Sequence, residues 1–264
     1  MRSPSAEELV DRAREALAKD DLDSILRAAL HLRMAVEAIT YRKLKGYSKY
    51  VPASVLKTWQ PAHAMKMLLQ FEPEADQNCH LYVGLQKDAG IPAQPTFDMG
   101  EHRTFDVRWL QRNYHRLGSY LHYPIGDKPQ LDLQATRGVL VGIADEVASI
   151  ADSPVYFVTM AARVSFECQV CGTRCMANVD GIRTSNRAVC VNPECGAVHD
   201  FEESDDSWLI TLAATEFKCL NCEHIFGVEN RFLKIGYEFV CPECSATHAL
   251  VQCRWGYGIP EASR

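Results

Sequence analysis

Apolar residues recur at steps of three and four through the first 152 residues, then give way to short runs broken by cysteine pairs. Within the first region, Leu22, Ile25, Ala29, Leu32, Val36 and Ile39 share one helical face, which predicts a bundle helix from about Asp21. Arg33 and Glu37 stand one turn apart on it and can pair. Arg42, Lys43 and Lys45 near its end read as a solvated terminus offsetting the helix dipole. An earlier helix is announced by Ser3-Pro4, an N-cap followed by proline, with acids in the opening turn. Pro52 and Pro61 bracket further helix through residue 70, and Gly90, Pro92, Pro95 and Gly100 predict a long loop or hairpin over 86–103. A last bundle helix is expected from about Leu131 to Ile150, burying Leu140, Ile143, Val147 and Ile150.

The stretch from Thr104 to His122 predicts an amphipathic helix of a particular kind. Val107, Leu110, Tyr114, Leu117 and Leu121 form its inward stripe, while Arg108, Arg112, His115, Ser119 and His122 lie opposite. That outer face has two arginines, two histidines and no carboxylate. It is what the wet side of any surface helix looks like, and it also suits a phosphate backbone.

After residue 153 the cysteines take over. Ten of the chain's eleven lie beyond residue 165, the count is odd, and no apolar leader segment precedes them, so metal thiolates in a reducing, cytoplasmic setting fit better than disulfides. Cys168-x2-Cys171 is followed after 18 residues by Cys190-x4-Cys195, and Cys219-x2-Cys222 after 18 residues by Cys241-x2-Cys244. Two knuckles at that separation are what a tetrahedral zinc ribbon needs. The copies also match outside the cysteines: FVTMAARVSFEC parallels LITLAATEFKC, and CGAVH ending at His199 parallels CSATH ending at His248. In that alignment Cys175 falls opposite Phe226 and Cys253 opposite Ser204, so both read as buried thiols, as does the solitary Cys79. With four thiolates per site, His199 and His248 are expected to pack rather than ligate.

The prediction is therefore an α+β multidomain chain: an all-α helical bundle over residues 1–152, a first β-rich zinc ribbon over 153–203 and a second over 204–264, with two structural Zn2+ ions. From residue 153 onward there are 9 Lys and Arg against 14 Asp and Glu, so the ribbons are acidic and suit a protein partner better than a generic grip on DNA. No stretch reaches the roughly 18 apolar residues that a membrane span needs, so no membrane partner is expected.

Two family resemblances sharpen this. The segments ALHLRMAVEAITYRKL at 29–44 and YHRLGSYLHYP at 114–124 resemble the second helix and the signature region of HEPN domains, helical bundles common in prokaryotic defence proteins. Their Arg-x4–6-His motif is matched by Arg116 and His122. The resemblance implies a homodimer that binds RNA and cleaves it without metal, His122 transferring a proton and Arg116 holding the phosphorane charge. The cationic face read from the helix pattern adds Arg108, Arg112 and His115 as expected RNA contacts. In a continuous helix the two motif residues stand about 120° apart, so their meeting calls for a bend or end at Gly118-Ser119. The first ribbon, with CVNPECGAVH, resembles the zinc finger of the Ogr/Delta phage activators. A non-enzymatic adaptor, dimerising through the bundle and contacting protein or DNA through the ribbons, is the alternative that the acidic ribbons favour.

Overall fold

The computed structural model describes residues 2–86, 91, 94–95, 97–122, 131–159, 161–205 and 207–251. Cys253 lies outside them. Helices come first: α1 (Ala6–Leu17), α2 (Leu22–Gly46), α3 (Ala53–Leu56) and α4 (Pro61–Leu69). An antiparallel hairpin, β1 (Cys79–Val83) and β2 (Phe97–His102), separates them from α5 (Val107–Leu121) and α6 (Leu133–Ala151). The N-terminal part is thus helical with a hairpin inserted, not all-α.

The bundle is organised around α2, against which α1, α4, α5 and α6 pack. Its predicted stripe is buried from Ile25 through Ile39, while Leu22, at the exposed start, is 50% accessible. The stripe of α6 is buried at all four positions. The α1 cap lies at Ser5 and not Ser3: the Ser5 hydroxyl accepts from the Glu8 N–H and the Glu8 carboxylate accepts from the Ser5 N–H, a reciprocal box that satisfies two end donors. Lys43 also departs from expectation. It is buried, with Nζ 3.1 Å from His102 Nε2, and burial pushes its pKa down to about 8. His102 in turn has Nδ1 2.6 Å from the Val155 carbonyl, so the pair fastens the hairpin between α2 and the chain leaving α6.

The cysteine-rich part begins with β3 (Arg163–Glu167) and β4 (Arg174–Asn178), an antiparallel pair. A seven-residue helix, α7 (Val179–Ser185), follows, capped by the Asn178 side chain accepting from the Asp180 and Gly181 N–H groups. This helix was not anticipated in a ribbon. Next come β5 (Arg187–Val189), β6 (Val198–Ser204) and β7 (Ser207–Leu212), a three-stranded antiparallel sheet in that order. Register Phe201 to Ile210 and Glu203 to Trp208 places β7 with the first ribbon, so the boundary expected at 203/204 falls within β6, at the end of a paired strand. The second ribbon comprises β8 (Ala214–Lys218), β9 (Ile225–Glu229), β10 (Glu238–Val240) and β11 (Thr247–Ala249), with a single 3-10 turn at Asn230–Phe232 where the first copy has α7.

The first ribbon is docked on the bundle. Glu72, only 4% exposed, accepts from Arg163 Nη1 at 2.7 Å and Nη2 at 3.0 Å, and from Asn178 Nδ2 at 3.2 Å. Arg163 also lies 4.1 Å over the Tyr50 ring. Beside this pair Phe157 packs edge-on to Tyr47, with ring centroids 4.5 Å apart, and so close to Gly46 that a Cβ there would meet it at 2.7 Å. Gly181 faces the Phe71 carbonyl, where a Cβ would stand 2.9 Å away, so α7 rests directly on the backbone after α4.

Candidate metal centres and the arginine-histidine face

Each cysteine knuckle is a tight turn closed by backbone hydrogen bonds. The Cys168 N–H donates to the Thr173 carbonyl at 3.0 Å and the Gly172 N–H to the Cys168 carbonyl at 2.8 Å, turning the chain so that Cys171 faces back. The second copy repeats this with Cys219 to His224 and Glu223 to Cys219. Left-handed backbone recurs too: Gly172 and Gly196 in the first ribbon, Glu223 and Ser245 at the matching positions in the second. A conformation that favours glycine is thus kept even where a side chain must be accommodated.

The turns converge on two sites. Cys168, Cys171, Cys190 and Cys195 have their sulfurs within 4.8 Å of one another, as do Cys219, Cys222, Cys241 and Cys244, so each quartet can hold a metal ion. In both, the first cysteine of each knuckle is buried, while Cys171 and Cys222 are exposed. Hydrogen bonds prepare some sulfurs as anions. The Thr173 hydroxyl, 3.2 Å from Cys171, leads in lowering that thiol to about 6. At Cys219 burial opposes ionisation, but the Cys222 and Asn221 N–H groups and His248 outweigh it and hold the thiol at about 5. Cys190 and Cys195 are pushed the other way, by burial first and by the sulfurs beside them, so all four can be thiolates together only with a cation among them.

The recurrent histidines both reach the first knuckle of their own copy. His199 is fully buried, edge-on to Phe166, and its Nε2 accepts from the Gln169 N–H at 3.3 Å. His248 Nε2 lies 3.3 Å from Cys219 Sγ. Both steady a knuckle from outside the sulfur quartet. Cys175 is buried on β4, with its sulfur 3.8 Å from that of Cys190. The second ribbon also touches the first site: Arg231 Nη1 donates to the Cys195 carbonyl at 2.6 Å and lies 3.7 Å from its sulfur.

On the bundle, α5 has the expected inward stripe at Leu110, Tyr114 and Leu117, while Leu121, its last residue, is 36% exposed. Arg108, Arg112, His115, Ser119 and His122 are all exposed, and so is Arg116. None of the three arginines meets a carboxylate among the described residues, although most of the chain's other described arginines do. The helix runs unbroken through Gly118 and Ser119 and ends only at Leu121, with His122 extended as its cap. Arg116 and His122 therefore sit on opposite flanks of α5. Arg116 borders a groove with Trp109, Arg112, Gly138 and Gly142, whereas His122 borders another with Arg33, Trp59, His63 and His115.

No protein-family model, curated protein or solved structure gives a match to this chain. Its chemistry is read from its own side chains.

The second groove assembles residues that no local pattern joined. Arg33 lies 4.0 Å over the Tyr114 ring and donates from Nη2 to the Tyr114 hydroxyl at 2.9 Å; that hydroxyl donates to Glu37 Oε1 at 2.6 Å. The helical pair expected between Arg33 and Glu37 is there at 3.6 Å, but Tyr114 is inserted into it. Burial, aided by Glu37, pushes the Tyr114 pKa up to about 12, so the phenol remains a donor at neutral pH. Arg33 was legible only as half of a surface pair, and His63 and Trp59 carried no signal at all.

Proposed function

We propose that this chain is a zinc-stabilised RNA-binding protein whose helical part cleaves RNA without a catalytic metal, in the manner expected of an HEPN-like domain. The observation that carries the reading is the exposed face of α5: Arg108, Arg112 and His115 project from the helix, His122 caps it, and neither arginine meets a carboxylate among the described residues. Such a face gains free energy by displacing counterions from phosphates. RNA also supplies its own nucleophile, the 2′-hydroxyl, so a histidine suffices for proton transfer where an arginine steadies the phosphorane. Because Arg116 borders the opposite groove, its use together with His122 calls for a second copy of the chain.

The two cysteine quartets fit zinc. A tetrahedral ion with Zn–S bonds of about 2.3 Å sets its sulfurs about 3.8 Å apart. Here Cys168 and Cys195 are 3.7 Å apart, Cys171 and Cys190 3.6 Å, Cys219 and Cys244 3.6 Å, and Cys222 and Cys241 3.7 Å. Four thiolates leave no open position for substrate, so these ions hold the ribbons together and take no part in chemistry.

RNA binding is tested by titrating the protein with fluorescent single-stranded RNA at several salt concentrations. The Arg108→Gln/Arg112→Gln variant is expected to bind about tenfold or more weakly at 0.1 M salt, with a log-log salt slope shallower by about 1.4 for two lost contacts at roughly 0.7 each. An unchanged affinity and slope would remove α5 from the interface. An adaptor role is the second reading, favoured by the exposure of Leu220, Ile225 and Val240 on the second ribbon. It gains if RNA does not bind and a partner protein is lost on Leu220→Asp.

A further inference from the structure

We infer that the groove between α4 and α5 is the nucleotide pocket of this site: Arg33, not Arg116, supplies its cation, His63 faces His122 across it, and Trp59 offers a stacking surface that selects single-stranded RNA. This rests on the RNA reading above and goes beyond it by assigning three residues outside α5.

The groove has a volume of about 450 Å3, within the range of small-ligand sites, and brings together Arg33, Trp59, His63, His115, Ser119 and His122. Trp59 is 69% exposed beside it, an indole of the kind on which unpaired bases stack irrespective of sequence. A duplex, with its bases already stacked, gains nothing from it.

Arg33 is held as a positioned cation. Its guanidinium is clamped against the Tyr114 ring, Nη2 is spent on the Tyr114 hydroxyl, and Nη1 makes no hydrogen bond in the described structure. Nη1 lies where Gly118 has no side chain: a Cβ there would be only 2.4 Å from it. Gly118 is thus the vacancy that lets Arg33 reach the groove. Its expected role as a helix-breaking residue is replaced by one of space, because the helix continues past it.

The chemistry is a transesterification in which one histidine takes the proton of the 2′-hydroxyl as its oxygen attacks phosphorus. The P–O5′ bond breaks, the other histidine gives a proton to the leaving 5′-oxygen, and the products are a 2′,3′-cyclic phosphate and a 5′-hydroxyl. Arg33 and His115 face the negative charge that builds on the non-bridging oxygens.

The test uses the full chain, zinc-loaded, with a short single-stranded RNA and no added magnesium, under single turnover. Wild type is expected to release a cyclic-phosphate product and to bind but not cut the 2′-deoxy analogue. His63→Ala and His122→Ala should each lower the rate at least 100-fold, with loss of one limb of a bell-shaped pH profile in each. Gly118→Ala should keep the melting temperature, since alanine suits a helix, and yet lower the saturated rate about tenfold or more by displacing Arg33. Trp59→Ala should weaken binding of single-stranded RNA and leave duplex binding unmoved. Cleavage insensitive to His63 and Gly118, or a loss at Arg116→Ala as large as at Arg33→Ala with a rate that rises with protein concentration, would overturn the proposal in favour of a site between two copies. RNA that binds α5 but stays intact in wild type would overturn both the pocket assignment and the cleavage reading and leave RNA binding alone; no binding would end both readings.

Discussion

Substituting Cys190 and Cys175 together by serine is expected to empty the first metal site and unfold the first ribbon, while the second keeps its ion. Cys190 is 1% exposed and bridges the β5–β6 sheet to the Cys168 knuckle, so its loss removes a ligand that solvent cannot replace. Cys175 must be changed with it because its sulfur stands 3.8 Å from that of Cys190 and is positioned to take its place. Structural zinc contributes about 10–16 kcal/mol of apparent binding free energy. That is comparable to, or larger than, the roughly 5–15 kcal/mol that holds a whole domain folded. The buried apolar cluster around Phe166, Ile182 and Phe201 is too small to offset such a loss. Native mass spectrometry should count two metal ions in wild type and one in the double variant, with amide exchange accelerated across β3 to β7. Two ions retained in the variant would contradict the ligand assignment.

The second large effect lies at the seam between bundle and ribbon. Glu72→Ala is expected to destabilise the protein by about 3–5 kcal/mol, because it leaves the Arg163 guanidinium half-enclosed against Tyr50 without its counter-charge. The Glu72→Leu/Arg163→Met pair should recover most of that loss, since two apolar side chains carry no desolvation debt. Denaturant titration followed by tryptophan fluorescence measures both. A Glu72→Ala loss below about 1 kcal/mol would mean that the ion pair is not what seats the ribbon.

What could be read from the chain alone follows distance along it. The eight metal-site cysteines were legible because each knuckle is local and its copy confirms it, and the α2 and α6 stripes because helical periodicity repeats over many residues. Long-range partners left no such trace. Arg33 and Tyr114 are 81 residues apart, Glu72 and Arg163 are 91, and only the folded chain brings them together. Lys43 misled because a basic residue near a helix end is normally solvated; here the hairpin closes over it and His102 Nε2 accepts a hydrogen bond from its Nζ. The copies were read as equivalent, yet the spacer between knuckles forms α7 in one and a 3-10 turn in the other, since only the first has the Asn178 cap and a bundle surface on which Gly181 rests. Among the described residues no helix is long and apolar enough to cross a membrane, in keeping with the sequence pattern.

The arrangement divides the work. Two cysteine quartets, the first touched by Arg231 of the second ribbon, organise a tail with little core of its own, and the bundle presents a helix whose arginines meet no carboxylate among the described residues, between two grooves. The central claim is that RNA lies along α5 and enters the groove beside Trp59. Photo-crosslinking single-stranded RNA carrying 4-thiouridine, followed by peptide mass spectrometry, tests it most directly. Cross-links at Trp59 and within the α5 segment ending at His122 are predicted; cross-links confined to the ribbons, or none at all, would contradict it.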